Sequence, residues 1–251
     1  MNLTVRIERY NAETDKAPYT QDYQVTAEPT DRVLDVLVGI KRGQDGTLGV
    51  RFSCAHGVCG SDAMRINGKE RLACKTLLQD VAEKDGDTVE IQPLQNVPVE
   101  RDLIIDQTVL MDKYRQVDPF LKVKDDLPMA PGNDLSEGEY LQSPEEHALI
   151  EDATKCIMCG ACNSACPVMK TNPAFIGPSA IVQAVRFVND SRDQGLESRL
   201  DVLDDPNGVW SCDNHFECTR VCPRGIKITK LINQTKRQIK KYREGQANAK
   251  G

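Results

Sequence analysis

The chain of 251 residues is long enough for one large domain or two small ones. Hydrophobic residues make up 39% and aromatics 5%, so the apolar core is modest, and a formal net charge of −6 argues against a nucleic-acid partner. The apolar runs are too short for a transmembrane span, and the opening MNLTVRIERY alternates apolar and polar residues where a signal peptide would not; a cytoplasmic setting follows, in which cysteines are more often metal ligands than disulfides.

Residues 1–103 read as a β-rich domain with one helix. Leu3, Val5 and Ile7 alternate with polar neighbours, as in a half-buried strand, and Tyr23 and Val25 suit its hairpin partner. Thr30 is expected to cap a helix with apolar positions Val33, Leu34, Leu37 and Ile40, with Gly43 and Gly46 in the turn beyond it. Val89 and Ile91 mark a closing strand that ends at Pro93. Two opening strands, a helix, a cysteine-bearing loop and a last strand describe a β-grasp ferredoxin.

Residues 104–251 read as an all-helical second domain, making the fold class α+β. A helix is expected from Ile104-Ile105 through Met111 to Tyr114, and the Pro-, Gly- and Asp-rich stretch after Pro119 reads as an extended surface segment. Ser143-Pro144-Glu145-Glu146 is a helix start, with Ser as cap, Pro at the first helical position and Glu146 closing the capping box. That helix delivers the chain to Cys156. Another is expected from Ser179 to Asn189, with Ile181, Val185 and Val188 on one side. A last one begins after Pro223 and carries Ile228, Leu231 and Ile232. It ends in Lys236, Arg237, Lys240, Lys241 and Arg243, which form either a solvated helix end or a contact with a membrane partner or anionic headgroups.

Ten cysteines fall into three groups. The first is Cys54-x4-Cys59 with Cys74 further on. A plant-type [2Fe–2S] loop spaces its cysteines x4 and x2 with a distant fourth, and here the third place holds Asp62. A carboxylate is a workable hard ligand for iron, so Asp62 is expected to ligate or to lie against the cluster; the alternative is a surface Asp62 with Ser61 or water filling the position. Gly57 and Gly60 permit positive φ, which lets backbone N–H groups approach sulfur. His56 reads as a loop residue near solvent.

The second group, Cys156-x2-Cys159-x2-Cys162-x3-Cys166-Pro167, is the bacterial ferredoxin run, in which the fourth cysteine serves a different cluster from the first three. Cys222, before Pro223, is the natural fourth ligand of a [4Fe–4S] centre with Cys156, Cys159 and Cys162. Cys166 then joins Cys212 and Cys218. A full second cube would want a cysteine at 215, where the chain has His215, and three thiolates suit a [3Fe–4S] centre. Imidazole is a competent iron ligand, which leaves open whether His215 binds iron or fills the space of the missing cysteine. Structural zinc fits this interleaved pattern poorly.

With these motifs the chain resembles the iron–sulfur subunit of the succinate dehydrogenase and fumarate reductase family over nearly its whole length. Ser53-Cys54, Gly57-Val58-Cys59-Gly60-Ser61, Cys156-Ile157-Met158-Cys159-Gly160-Ala161-Cys162, Asn172-Pro173-Ala174-Phe175-Ile176-Gly177-Pro178 and Asn189-Asp190-Ser191-Arg192-Asp193 carry the likeness. Asp62 falls where some members have aspartate and others cysteine. The resemblance implies an electron-transfer subunit of a tricarboxylic acid cycle or fumarate-respiring oxidoreductase. FAD in a flavoprotein partner would exchange a hydride with succinate or fumarate, and electrons would pass through [2Fe–2S], [4Fe–4S] and [3Fe–4S] to a quinone. The quinone would sit at a hydrophobic membrane anchor, with or without haem, on the cytoplasmic face of the cell membrane. Lys170 and Thr171 stand where ubiquinone-linked members have a tryptophan pair, and Asp213 where they have histidine. Gly208-Val209-Trp210-Ser211-Cys212 and Lys236 look closer to fumarate reductases, which favours menaquinone. Trp210 either packs beside the [3Fe–4S] centre or anchors the helical core. The competing readings are a soluble multi-cluster ferredoxin without an anchor and a subunit feeding a thiol–disulfide system, for which the chain lacks the extra cysteines.

Overall fold

The computed structural model describes residues 1–123 and 140–249. Leu3, Val5 and Ile7, each 1% exposed or less, put one face of β1 (Asn2–Arg9) into the core. Strand β2 (Tyr19–Thr26) pairs with it antiparallel in the expected hairpin, with Val5 opposite Tyr23 and Leu3 opposite Val25. Helix α1 (Val33–Gly43) buries Val33, Leu34, Val36, Leu37 and Ile40, which recur at the helical period. Its N-cap is Arg32 rather than Thr30. Asp35 accepts the Arg32 backbone N–H at 3.3 Å, and the Val33 N–H donates to the Thr76 carbonyl at 2.9 Å, so the helix starts without a threonine cap. Gly43 is the last helical residue and not part of the turn beyond.

Two strands of the sheet that contains β1 and β2 were not foreseen. β3 (Ala63–Ile66) and β4 (Lys69–Leu72) form a hairpin directly after the first cysteine loop. Its turn is Asn67-Gly68, both at positive φ (48° and 74°), the strongest short hairpin signal a sequence offers. Strand β5 (Thr88–Gln92) is the expected last strand, yet it lies in the middle of the sheet, parallel to β1 and antiparallel to β3. The order is β2-β1-β5-β3-β4, a mixed five-stranded sheet that shares one core with α1, as the β-grasp reading requires.

Ile104-Ile105 do not open a helix. They form β7 (Ile104–Ile105), antiparallel to β6 (Val99–Arg101), and the helix α2 runs over Thr108–Arg115. Two β-branched residues in a row suit an extended pair better than a helix start. The extended segment expected after Pro119 lies mostly outside the described residues.

The later helices are α3 (Pro144–Thr154), α4 (Ala161–Ser164), α5 (Pro167–Thr171), α6 (Pro178–Val188), α7 (Leu196–Leu203), α8 (Glu217–Arg220) and α9 (Ile228–Ala249). The capping box of α3 forms as expected: the Ser143 hydroxyl accepts from the Glu146 N–H at 3.2 Å, and Glu146 accepts from the Ser143 N–H at 2.7 Å. Helix α6 is buried almost all round and matches its expected span closely. The short α4, α5 and α8 have too few turns to show a period in sequence.

By backbone contacts the chain divides into two units. One holds Met1–Leu110 with Ile157–Cys166 and Arg220–Gly225; the other holds Met111–Cys156, Pro167–Thr219 and Ile226–Gly251. In the second unit α6 packs on α3, α7 and α9, around Ile150, Ile181, Val185, Leu203, Ile232 and Ile239. A buried ion pair stiffens it: Arg199 and Asp193, 0% and 1% exposed, meet at 2.6 Å, and Arg199 also donates to the carbonyls of Val117, Asp118 and Phe120.

Candidate metal centre

The loop 54–62 wraps its own first sulfur. Backbone N–H groups of His56, Val58 and Cys59 donate to Cys54 Sγ at 3.5, 3.4 and 3.3 Å. Ala55 and Gly57 sit at φ 57° and 80°, which turns successive N–H groups inward. Those donors, His56 first and then Cys59 and Val58, lower the Cys54 thiol to about 6, so it is a ready thiolate near neutrality. The Cys59 sulfur lies 3.0 Å from the Ser61 hydroxyl. His56 is exposed in the loop, and its Nδ1 meets the Cys54 carbonyl.

Asp62 is not on the surface. It is 2% exposed, and its Oδ2 accepts the Cys74 backbone N–H at 2.5 Å. Burial, with the hydrogen-bonded Asp62 carboxylate behind it, pushes the Cys74 thiol up to about 12. The other carboxylate oxygen, Oδ1, is buried with no hydrogen-bond partner. An unpaired buried acceptor costs about 1–3 kcal/mol, more if charged, unless something electropositive meets it. An iron ion would do so, and it would also hold the Cys74 sulfur as thiolate. The donors Cys54, Cys59, Asp62 and Cys74, all within one unit, therefore fit a [2Fe–2S] centre.

Gly60, at φ 70°, is where this loop meets the second cysteine group. A Cβ there would lie 2.7 Å from Cys159 Cβ, 3.0 Å from Cys159 Cα and 3.2 Å from the Ile157 carbonyl oxygen. The close approach of two cysteine-bearing backbones needs a residue without a side chain. Met158 and Gly160 take positive φ (52° and 80°), so the Cys156–Cys162 segment curls before entering α4. Its far side is held by residues the sequence did not single out. Asn96 Nδ2 donates to the carbonyls of Asn163, Ser164 and Cys166 at 3.0, 2.9 and 3.3 Å. Ser164 donates to Glu70 at 2.8 Å and accepts from the Gln95 N–H at 2.8 Å. A polar residue followed by no obvious motif, such as Asn96, gives no signal in a single sequence.

Cys166 immediately precedes α5, and Cys222 lies in the Arg220–Gly225 segment, where its carbonyl accepts from the Gly225 N–H at 3.0 Å. Cys212 follows a short 3-10 turn, Val209–Ser211. Cys218, 7% exposed on α8, has its sulfur 3.5 Å from the Thr229 hydroxyl at the start of α9. His215 is exposed, between Asn214 and Phe216 at positive φ (60° and 66°). Among the described residues no three His, Cys, Asp or Glu side chains converge as single-ion ligands. A multi-iron cluster does not ask for that, because each of its irons takes at most two ligands from the protein and bridging sulfides supply the rest.

Lys236 on α9 donates to the Cys212 carbonyl at 2.8 Å and stands 6.0 Å from the centre of the Trp210 ring. Trp210 is half-buried, and its indole N–H donates to Asp204 at 2.8 Å. Lys240 and Arg243 lie over the same ring at 5.9 Å each. The indole is thus a cation-gathering surface beside the third cysteine group and not part of the sealed core.

Comparison with known proteins gives matches over both cysteine-bearing regions. A family model described as a 2Fe-2S iron-sulfur cluster binding domain matches residues 4–112, and one described as a 4Fe-4S dicluster domain matches residues 152–226. The chain is 39% identical over 240 residues to the succinate dehydrogenase iron-sulfur subunit of Coxiella burnetii, spanning 94% of this chain and 97% of the relative. It is 40% identical over 234 residues to the fumarate reductase iron-sulfur subunit of Mycobacterium tuberculosis, spanning 93% and 91%. Among solved structures, a chain of the Mycobacterium smegmatis Sdh1 complex in the apo form superposes with a TM-score of 0.77 at 30% identity, covering 94% of this chain and 95% of that one.

Proposed function

Because the chain belongs to the family of succinate dehydrogenase and fumarate reductase iron–sulfur subunits, we propose that it relays electrons between FAD in a flavoprotein subunit and a quinone at a membrane anchor. The proposed ligand sets are Cys54, Cys59, Asp62 and Cys74 for [2Fe–2S], Cys156, Cys159, Cys162 and Cys222 for [4Fe–4S], and Cys166, Cys212 and Cys218 for [3Fe–4S]. The proposed domains are residues 1–103 and 104–251, with the complex on the cytoplasmic face of the cell membrane. Bound, the clusters supply one-electron carriers between a two-electron flavin and a two-electron quinone.

The observation that carries the proposal is the contact at Gly60. The loop bearing Cys54 and Cys59 packs on the backbone of Cys159 with no side chain between them, which is what neighbouring carriers in one series require. The protein's own residues do the tuning. N–H donors on the Cys54 sulfur and the Thr229 hydroxyl by Cys218 stabilise negative charge on sulfur, which raises reduction potential. Lys236 and Trp210 are the residues proposed to lie nearest the quinone, and Lys170, Thr171 and Asp213 favour menaquinone over ubiquinone. No helix among the described residues is long and apolar enough to cross a membrane; in this reading the membrane anchor belongs to a partner subunit.

Anaerobic purification, iron and sulfide analysis, and low-temperature EPR with redox titration test this. Three distinct signals are expected, with Cys222→Ser removing the [4Fe–4S] signal and Cys166→Ser the [3Fe–4S] signal. One signal lost in both variants would refute the crossed ligand sets.

A further inference from the structure

Helix α9 carries six cations, Lys230, Lys236, Arg237, Lys240, Lys241 and Arg243, against one acid, Glu244, on a chain whose net charge is −6. The structure divides the six. Lys236, Lys240 and Arg243 gather on Trp210, and Arg243 is also paired with Asp204. Lys230, Arg237 and Lys241 point the other way, and none of the three has an ion-pair partner among the described residues. They stand at positions i, i+7 and i+11, so they form a single stripe, with Gln234 between them. The stripe lines a groove of about 450 Å³ between α9 and α3, whose opposite wall includes Ala148, Leu149 and Asp152.

Two features of that wall indicate what the groove takes. The one acid among the lining residues, Asp152, is committed elsewhere, paired with Lys155 at 3.0 Å. Leu149 is 62% exposed, leaving a large apolar side chain beside three open cations. Like charges four apart on a helix repel, as Arg237 and Lys241 do here, and an anion seated between them relieves this. Cationic and apolar groups side by side match an anionic amphiphile better than a free ion. We propose that the α3–α9 groove docks on anionic phospholipid headgroups, with Arg237 and Lys241 on the phosphate and Leu149 reaching the acyl boundary. This is direct contact between the subunit and lipid, beyond the anchor-mediated attachment proposed above.

Vesicle flotation of the full chain, purified anaerobically without partners, tests it. Binding is expected to vesicles of phosphatidylcholine mixed with phosphatidylglycerol and not to phosphatidylcholine alone. Arg237→Gln with Lys241→Gln should weaken it about 30-fold, at roughly one kcal/mol per basic residue near the surface. Lys69→Gln with Lys84→Gln, the same change in net charge on the other unit, should leave it unchanged. Leu149→Ser should weaken it without changing its salt dependence. Equal binding to both vesicle types, or equal loss in both double variants, would overturn the proposal. So would full competition by inorganic phosphate, which would make the ligand a free anion, or preferential capture of polyglutamate, which would make it an acidic protein surface. Because no partner subunit is present, failure here leaves electron transfer and anchor docking standing.

Discussion

Gly60 is the position where the relay reading makes its sharpest mechanical demand. Replacing it with alanine imposes two costs that the structure separates. Holding an L-residue at φ 70° costs roughly 1–2 kcal/mol. The new Cβ would also sit 2.7 Å from Cys159 Cβ and 3.0 Å from Cys159 Cα, and forcing an extra methyl into such a contact typically costs about 1–3 kcal/mol. Gly60→Ala should therefore lose about 2–5 kcal/mol. Two other glycines calibrate the terms. Gly68, at φ 74° with nothing within 4 Å, should show only the conformational cost, about 1–2 kcal/mol. Gly39, inside α1 with open space around it, should gain about 0.5–1 kcal/mol on becoming alanine. Gly57→Ala would meet only the flexible Lys75 stem, at 2.8 Å, which can swing aside, so it should fall between Gly68→Ala and Gly60→Ala. Urea unfolding followed by circular dichroism, at matched iron content, ranks the four. If Gly60→Ala costs no more than Gly68→Ala, the two cysteine-bearing backbones are not in contact, and the main support for a continuous series is gone.

Four further outcomes follow from single sites. Asp62→Ala removes both the acceptor for the Cys74 N–H and the unpartnered oxygen, so the [2Fe–2S] EPR signal should vanish while the other two persist; a retained, unshifted signal would exclude Asp62 as a ligand. Asn96→Ala frees three carbonyls of the Asn163–Cys166 turn and should lower stability by about 1–3 kcal/mol in urea titration. Ser143→Ala breaks the capping box of α3 and should cost about 1 kcal/mol by the same assay. Thr47, Tyr23 and Arg9 hold the Asp45 carboxyl well below the usual range. Its stabilising contribution is therefore full above the unfolded pKa of about 4 and is lost as pH falls below it; Asp45→Asn should flatten the acid limb of a stability-versus-pH curve.

What the sequence revealed and what it hid divide along a physical line. The cysteine groups were legible because metal ligation fixes residue type and spacing together, and few other constraints produce Cys-x2-Cys-x2-Cys-x3-Cys-Pro. Strand β1 and helix α1 were legible because one buried face imposes a period on eight or more residues, and α3 because its capping box is a local signature. The Arg32 cap escaped because Asp35 reaches back to a backbone N–H whatever side chain the cap residue carries. The β3–β4 hairpin escaped despite Asn67-Gly68, because strands of four residues are too short to display alternation.

Asn96, Ser164 and Glu70 are the deeper case. Their roles come from contacts 67 to 94 residues apart in sequence, from Asn96 in a loop and Glu70 on β4 to the cysteine run. Such contacts leave no periodic or spacing signature, yet they hold the Asn163–Cys166 turn in place. A ligand motif therefore names candidate metal-binding atoms, whereas the polar residues that hold the backbone around them are visible only once the chain is folded. Asp62 sits between the two kinds. Its position in the motif suggested a ligand, but only its burial beside Cys74, with one oxygen satisfied and one not, gives that suggestion a physical reason.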